Sequence, residues 1–134
     1  MTIEYLVETD WAVHWLRGRR EIVDKIRELQ PAGLGLSIIS LAELYTGINY
    51  SADPVKAQEG LKNFLSLINI LEVNDEICYI FGQENARLRK AGQIIGDFDL
   101  LIATTCLHHN LKLLTNNIRH FQRIGSLEII STEL

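Results

Sequence analysis

The chain has 134 residues, which is long enough for one domain with a buried core. Its net charge is −4, and no apolar run approaches the roughly 18 residues that span a bilayer, so composition excludes a membrane helix. An acidic balance also disfavours a protein that holds nucleic acid chiefly by positive charge. The N-terminus lacks the basic segment of a secretory signal, and Cys78 and Cys106 lie in apolar surroundings without metal-type spacing. We expect one cytoplasmic domain over residues 1–134, with both thiols reduced and buried.

Short β-favouring runs alternate along the chain with runs that have helical spacing. The predicted strands are residues 3–7, 34–39, 70–73, 111–114 and 127–130. The predicted helices are residues 11–16 and 21–29, two that open at 40 and 53, then 75–90, 97–109 and a short turn at 119–121. Strands that alternate with helices imply a mostly parallel sheet covered on both faces, a three-layer α/β/α fold.

Several polar residues stand where a helix should begin, and each has an ordinary structural use. Thr9 or Asp10 is predicted to cap the first helix, and Asp97 the helix that carries the apolar run Leu-Leu-Ile-Ala. Ser40 and Glu43 have the spacing of a capping box, in which the glutamate returns to the N–H of the serine. On spacing alone, capping is the favoured interpretation of Glu43.

Other polar side chains follow the predicted strands. Glu8 ends the first strand, and residues 115–117 end the fourth. Glu43 and Asp99 stand in the first turns of helices. Because the carboxyl ends of parallel strands share one edge of a sheet, these side chains are expected to converge. Grouped carboxylates repel one another unless a cation lies between them, and oxygen ligands of this kind suit Mg²⁺ or Mn²⁺.

Four segments together resemble the PIN domain and, within that family, the VapC-type toxin ribonucleases. They occur in the family's order and intervals and cover nearly the whole chain, although each is weak alone. The segments are YLVETD at 5–10, ISLAELYTG at 39–47, GDFDLLIA at 96–103 and LTNNIRHFQRI at 114–124.

The resemblance implies a PIN-like α/β/α domain with endoribonuclease activity that depends on Mg²⁺ or Mn²⁺. Its catalytic and metal-binding acids correspond to Glu8, Glu43 and Asp99, with Asp97 as a further candidate ligand. The fourth member corresponds best to Asn117, with Asn116 and His120 as nearby candidates. Transfer RNA is one possible substrate. The candidates to position substrate are Thr115, Asn116, Arg119 and His120. The candidates to steer the RNA backbone are Arg17, Arg19, Arg20, Arg87, Arg89 and Arg119.

One position departs from the family pattern, which usually has aspartate where this chain has Glu8. Glutamate reaches about 1.5 Å further, and octahedral metal geometry tolerates little displacement. Three explanations remain open: the glutamate is natural and tolerated, it is natural and weakening, or it was introduced because an active toxin harms its host. Our hypothesis is that Glu8 lowers activity.

The resemblance also implies a homodimer held inactive by a small VapB-type antitoxin. An exposed apolar groove could bind that partner, and each of its candidate residues is equally plausible as a residue of the buried core. The candidates are Trp11, Trp15, Tyr45 and Ile48. An alternative function is a catalytically inactive PIN-like module that binds RNA or protein. The sequence does not support a third interpretation, a receiver or nucleotide-binding protein, because the chain has no glycine-rich phosphate loop.

Overall fold

The computed structural model describes residues 2–133 and has one five-stranded parallel sheet. The strands are β1 (Tyr5–Val7), β2 (Leu34–Ser37), β3 (Asn69–Leu71), β4 (Lys112–Leu114) and β5 (Ile129–Ile130). Their spatial order is β3-β2-β1-β4-β5, so the chain leaves the central strand β1 first to one side and later to the other. Parallel sheets bind ligands beyond the carboxyl end of the strand at such a reversal. The site is therefore expected at the end of β1.

Helices cover both faces of the sheet, which confirms the predicted α/β/α architecture. They are α1 (Thr9–Leu16), α2 (Arg20–Leu29), α3 (Ile38–Asn49), α4 (Pro54–Leu65), α5 (Asp75–Lys90), α6 (Asp97–His108) and α7 (Ile118–Phe121), with a 3₁₀ turn at Gln30–Ala32. Within the described residues, no helix is both long and apolar enough to cross a membrane.

The N-cap residues of three helices, α1, α3 and α6, differ from the prediction. The helix α3 begins at Ile38 rather than Ser40, because the Ser37 hydroxyl accepts the N–H of Ile39 at 3.1 Å and ends β2 early. The helix α6 has Gly96 at its N-cap, without a side-chain cap, so the prediction that Asp97 caps it is wrong.

Adjacent residues of β1 supply the two cores. Leu6 enters the core between the sheet, α5 and α6, and Val7 enters the opposite core against α1 to α4. Trp11 and Ile48 belong to the second core, where they are 0% and 7% exposed. The prediction that these two side chains form an exposed groove is therefore wrong.

The two cysteines differ in environment. Cys106 is buried, and its thiol donates to the carbonyl oxygen of Leu111 at 3.0 Å. Burial raises the pKa of this thiol to about 12, so it stays protonated and unreactive near neutral pH. Cys78 is exposed on α5, which corrects the prediction that both thiols are buried.

Candidate active site at the carboxyl edge of the sheet

Glu8 follows β1 and is the N-cap residue of α1, where Thr9 or Asp10 was predicted. The residue is only 3% exposed. Oε2 accepts the backbone N–H of Asp10 at 3.1 Å, and Oε1 accepts the hydroxyl of Thr115 at 2.7 Å. The side chain is thus turned into the protein, and it joins the end of β1 to the end of β4.

A second carboxylate meets the same hydroxyl. Asp10 Oδ1 lies 3.1 Å from Thr115 Oγ1, and Asp10 Oδ2 accepts the backbone N–H of Asn116 at 3.0 Å. Burial, together with the negative charge of Asp10, raises the pKa of Glu8 to about 8. The hydroxyl of Thr115 has one proton to share between the carboxylates of Glu8 and Asp10. The two carboxylates therefore favour binding of an additional proton or a cation.

Glu43 reaches the site from α3. The hydroxyl of Thr9 donates to Glu43 Oε1 at 2.7 Å, and Ser40 Oγ lies 2.8 Å from the same hydroxyl. Ser40 is buried inside α3 and is not its N-cap, so the capping-box interpretation is wrong. The hydrogen bond between Thr9 and Glu43 instead joins α3 to the first residue of α1, which follows Glu8 in the chain.

Asp99 reaches the site from the first turn of α6. Its Oδ2 lies 3.2 Å from His120 Nδ1, and the same ring nitrogen lies 3.3 Å from Asn117 Nδ2. The backbone N–H of Asn117 donates to Thr115 Oγ1 at 2.9 Å. A continuous set of contacts therefore joins Asp99 to Glu8 by way of α7 and the end of β4.

Asp97 takes no part in these contacts. It is exposed at the first position of α6, and its side chain forms no hydrogen bond or ion pair with the other described residues. Residues two apart on a helix point in nearly opposite directions, at about 200° around the axis. The structure thus separates Asp97 from Asp99 and favours Asp99 as the functional acid.

Asn116, a predicted substrate-positioning residue, forms several hydrogen bonds within the protein. Its Oδ1 accepts the indole N–H of Trp11 at 2.9 Å, the hydroxyl of Ser131 at 2.8 Å and the backbone N–H of Thr132 at 3.0 Å. These bonds fix the loop between β4 and α7 against α1 and the chain after β5. The sequence contains one signal for this loop. Asp10 is a polar residue soon after β1, and its carboxylate accepts the N–H of Asn116. The sequence analysis predicts a helix cap at that position instead.

The predicted arginines divide into paired and free groups. Arg19 and Arg87 form surface ion pairs with Glu21 and Glu84, at 3.1 and 2.9 Å. Arg119 is exposed in α7, directly before His120, and has no partner among the described residues. Because the neighbouring His120 contacts Asp99, Arg119 is a candidate to meet a phosphate near that acid.

The donor set can be compared with the needs of a divalent cation. Within residues 2–133, no three His, Cys, Asp or Glu side chains are gathered closely enough to hold a metal. The chemistry nevertheless fits, because Asp99, Glu43 and Asn117 offer the hard oxygen ligands that Mg²⁺ and Mn²⁺ take. Glu8 would have to release one of its two hydrogen bonds to contribute an oxygen.

The protein has a parallel sheet between two layers of helices, and acidic side chains lie beyond the carboxyl end of the central strand. This combination of fold and site defines the class of the protein. The PIN domain model matches residues 5–127, so the chain belongs to the PIN domain family. It is 31% identical to ribonuclease VapC1 of Haemophilus influenzae strain R2866 over 126 residues, which cover 92% of this chain and 94% of the relative.

Two further comparisons extend this likeness. A chain in the crystal structure of VapBC2 from Rickettsia felis, bound to a DNA fragment from their promoter, superposes with a TM-score of 0.90 at 30% identity. The match covers 96% of this chain and 98% of that one. The tRNA(fMet)-specific endonuclease VapC of Salmonella typhimurium is 25% identical over 127 residues, 95% of this chain and 96% of the relative.

Proposed function

We propose that the protein is a divalent-metal-dependent endoribonuclease and the toxin of a VapBC-type toxin–antitoxin pair. The observation that carries the proposal is the set of contacts from Glu8 through Thr115 and Asn117 to Asp99. This set lies at the sheet edge of a PIN domain whose relatives are named ribonucleases.

The roles of the side chains follow from their positions. Asp99, Glu43 and Asn117 would hold Mg²⁺ or Mn²⁺, together with one oxygen of Glu8. When bound, the cation supplies a water of lowered pKa and offsets charge that builds on the phosphodiester. Thr115 holds the carboxylate of Glu8 through its hydroxyl, and the exposed guanidinium of Arg119 attracts the RNA backbone.

Transfer RNA is the substrate class that we propose, because the Salmonella typhimurium relative is named for cleavage of tRNA(fMet). Such a substrate would be met in the cytoplasm. The comparison spans nearly the full length of both chains, but its identity of 25% is low enough that the cleaved sequence can differ.

The test of the proposed function is cleavage of transfer RNA and mixed cellular RNA by the purified chain. We expect cleavage with Mg²⁺ or Mn²⁺ and none with EDTA. An Asp99→Asn preparation, purified in parallel, controls for contaminating nucleases. RNA binding without cleavage under every metal condition, by this chain and by its Glu8→Asp variant, would instead support the inactive binding module.

A second prediction concerns the antitoxin, which we propose binds near α3 and α4 of a toxin homodimer. Tyr45 is 44% exposed there, and it borders a shallow cavity of about 230 Å³. The other residues that line this cavity are Gln58, Leu61, Lys62 and Leu65. Because exposed aromatic side chains dominate many interfaces, Tyr45→Ala is expected to weaken binding of the cognate antitoxin about 10-fold or more, measured by calorimetry.

A matched control for the antitoxin experiment is Tyr79→Ala, which removes an exposed tyrosine from α5. Trp15 is less suitable as a probe, since its half-buried ring packs against Phe64 at 5.8 Å and its loss would disturb the core. Equal antitoxin affinity for the Tyr45 and Tyr79 variants would place the interface elsewhere.

A further inference from the structure

Phe98 is an exposed aromatic residue next to the proposed catalytic acid. It is 54% exposed, whereas Phe64 and Phe121 are fully buried and Phe81 packs against a core. A phenyl ring left in water loses the stabilisation that burial would give, and it has no polar atom to offset that loss. Phe98 directly precedes Asp99 in the first turn of α6. Its ring is therefore available to a ligand of the site.

A second exposed apolar side chain lies in the loop that leads into α6. Ile94 is 58% exposed, and the following Ile95 is buried in the core between the sheet, α5 and α6. The guanidinium of Arg123 donates to the carbonyl oxygen of Ile94 at 2.8 Å. The buried neighbour and this hydrogen bond hold the loop backbone, so the fold itself keeps Ile94 at the surface.

Basic side chains of α7 and of the turn after it lie along the same segment. Nδ1 of His120 is 3.2 Å from Asp99, and Arg123 reaches Ile94, so the two stretches of chain meet at two points. Arg119 is exposed directly before His120 and has no partner among the described residues. A positive charge that attracts phosphate thus lies on the element that contacts the exposed apolar segment.

The acids on either side of Phe98 determine where a phosphate can approach. Asp97 and Asp99 lie about 100° away from it around the helix axis, in opposite directions. The side chain of Asp97 has no partner in the described part of the chain, whereas Asp99 lies against His120. A phosphate is therefore expected on the side of Asp99 and α7, with its base over the ring between the two acids.

We propose that Phe98 and Ile94 form a platform on which an unpaired base of the RNA stacks, next to the phosphodiester that is cleaved. This inference rests on the proposed function and names the form of its substrate, a single-stranded segment. An unpaired base can turn its face to an aromatic side chain, whereas a base in a duplex is already stacked between its neighbours. Proteins that bind single strands combine aromatic stacking with positive charge along the backbone, the two features that meet here.

The test is binding of a fluorescent, mixed-sequence single-stranded RNA of about 12 nucleotides, measured by anisotropy with Ca²⁺ in place of Mg²⁺ to suppress cleavage. Phe98→Ala should weaken binding about 10-fold without changing the slope of log Kd against log salt, because it removes no charge. Arg119→Ala should instead lower the magnitude of that slope by about 0.7. Phe98→Trp should keep the affinity of the unaltered chain, and Phe98→Leu, which has no aromatic face, should not.

Tyr79→Ala is the matched control, because Tyr79 is an exposed aromatic residue in the first half of α5. It should leave the affinity for single-stranded RNA unchanged. Duplex RNA of the same sequence should bind the unaltered chain and Phe98→Ala equally.

Unchanged affinity in Phe98→Ala, or full affinity in Phe98→Leu, would overturn the platform, while RNA cleavage by the unaltered chain keeps the nuclease proposal. Loss of antitoxin binding without loss of RNA binding in Phe98→Ala would also overturn it and assign the ring to the antitoxin. If the unaltered chain neither binds single-stranded RNA nor cleaves RNA, both proposals are wrong.

Discussion

Replacing Asp99 by asparagine is expected to lower the rate of metal-dependent RNA cleavage by about 1,000-fold. The substitution keeps the size of the side chain but removes its negative charge, which a divalent cation needs for tight binding. Asp99 also contacts His120, so the change weakens the arrangement of α7 beside the site. The measurement is single-turnover cleavage of a labelled transfer RNA, combined with a titration of Mn²⁺ binding.

Asp97→Asn is the control for this prediction, because it makes the same chemical change two residues earlier in α6. The exposed Asp97 has no partner among the described residues, so cleavage should change less than about 3-fold, as expected for an exposed charge. Equal losses in the two variants would show that net charge near the site matters, rather than Asp99 itself. A larger loss for Asp97 would contradict our assignment of the acid.

Replacing Glu8 by aspartate is expected to raise Mg²⁺-dependent turnover about 10-fold or more. In the present chain both oxygens of Glu8 are used inside the protein, by Thr115 and by the N–H of Asp10. Aspartate is among the preferred N-cap residues, so it can keep the cap of α1. Its stem is shorter by about 1.5 Å, so we expect its second oxygen to stay nearer the open side of the site. A gain of 10-fold corresponds to about 1.4 kcal/mol of transition-state stabilisation.

Glu4→Asp is the corresponding control, since Glu4 precedes the same strand, is exposed and pairs with Lys112 at the surface. This variant should leave turnover unchanged. Thermal unfolding of both variants would show whether either loses stability. Equal turnover by the unaltered chain and the Glu8→Asp variant would contradict the hypothesis that Glu8 lowers activity.

Patterns close together in the chain predicted most of the fold. The five strands, the parallel sheet and the position of Glu8 beyond the first strand follow from apolar runs and from where these runs end. Helix starts were less accurate, because several polar residues compete for one cap. Ser37 capped α3 in place of Ser40, and Glu8 capped α1 in place of Thr9 or Asp10.

The sequence by itself determined the class of fold and which strands and helices carry acids at one edge of the sheet. It could do so because strand periodicity and helix spacing are local properties of the chain. Only the tertiary structure decided what each side chain contacts. Thr115 bonds Glu8 across 107 positions of the chain, and Asn116 bonds Trp11 across 105. Such contacts depend on how β1 and β4 pair and on which side chains the cores enclose. These long-range contacts engage Asn116 in hydrogen bonds within the protein, and the packing buries Ile48 and brings His120 next to Asp99.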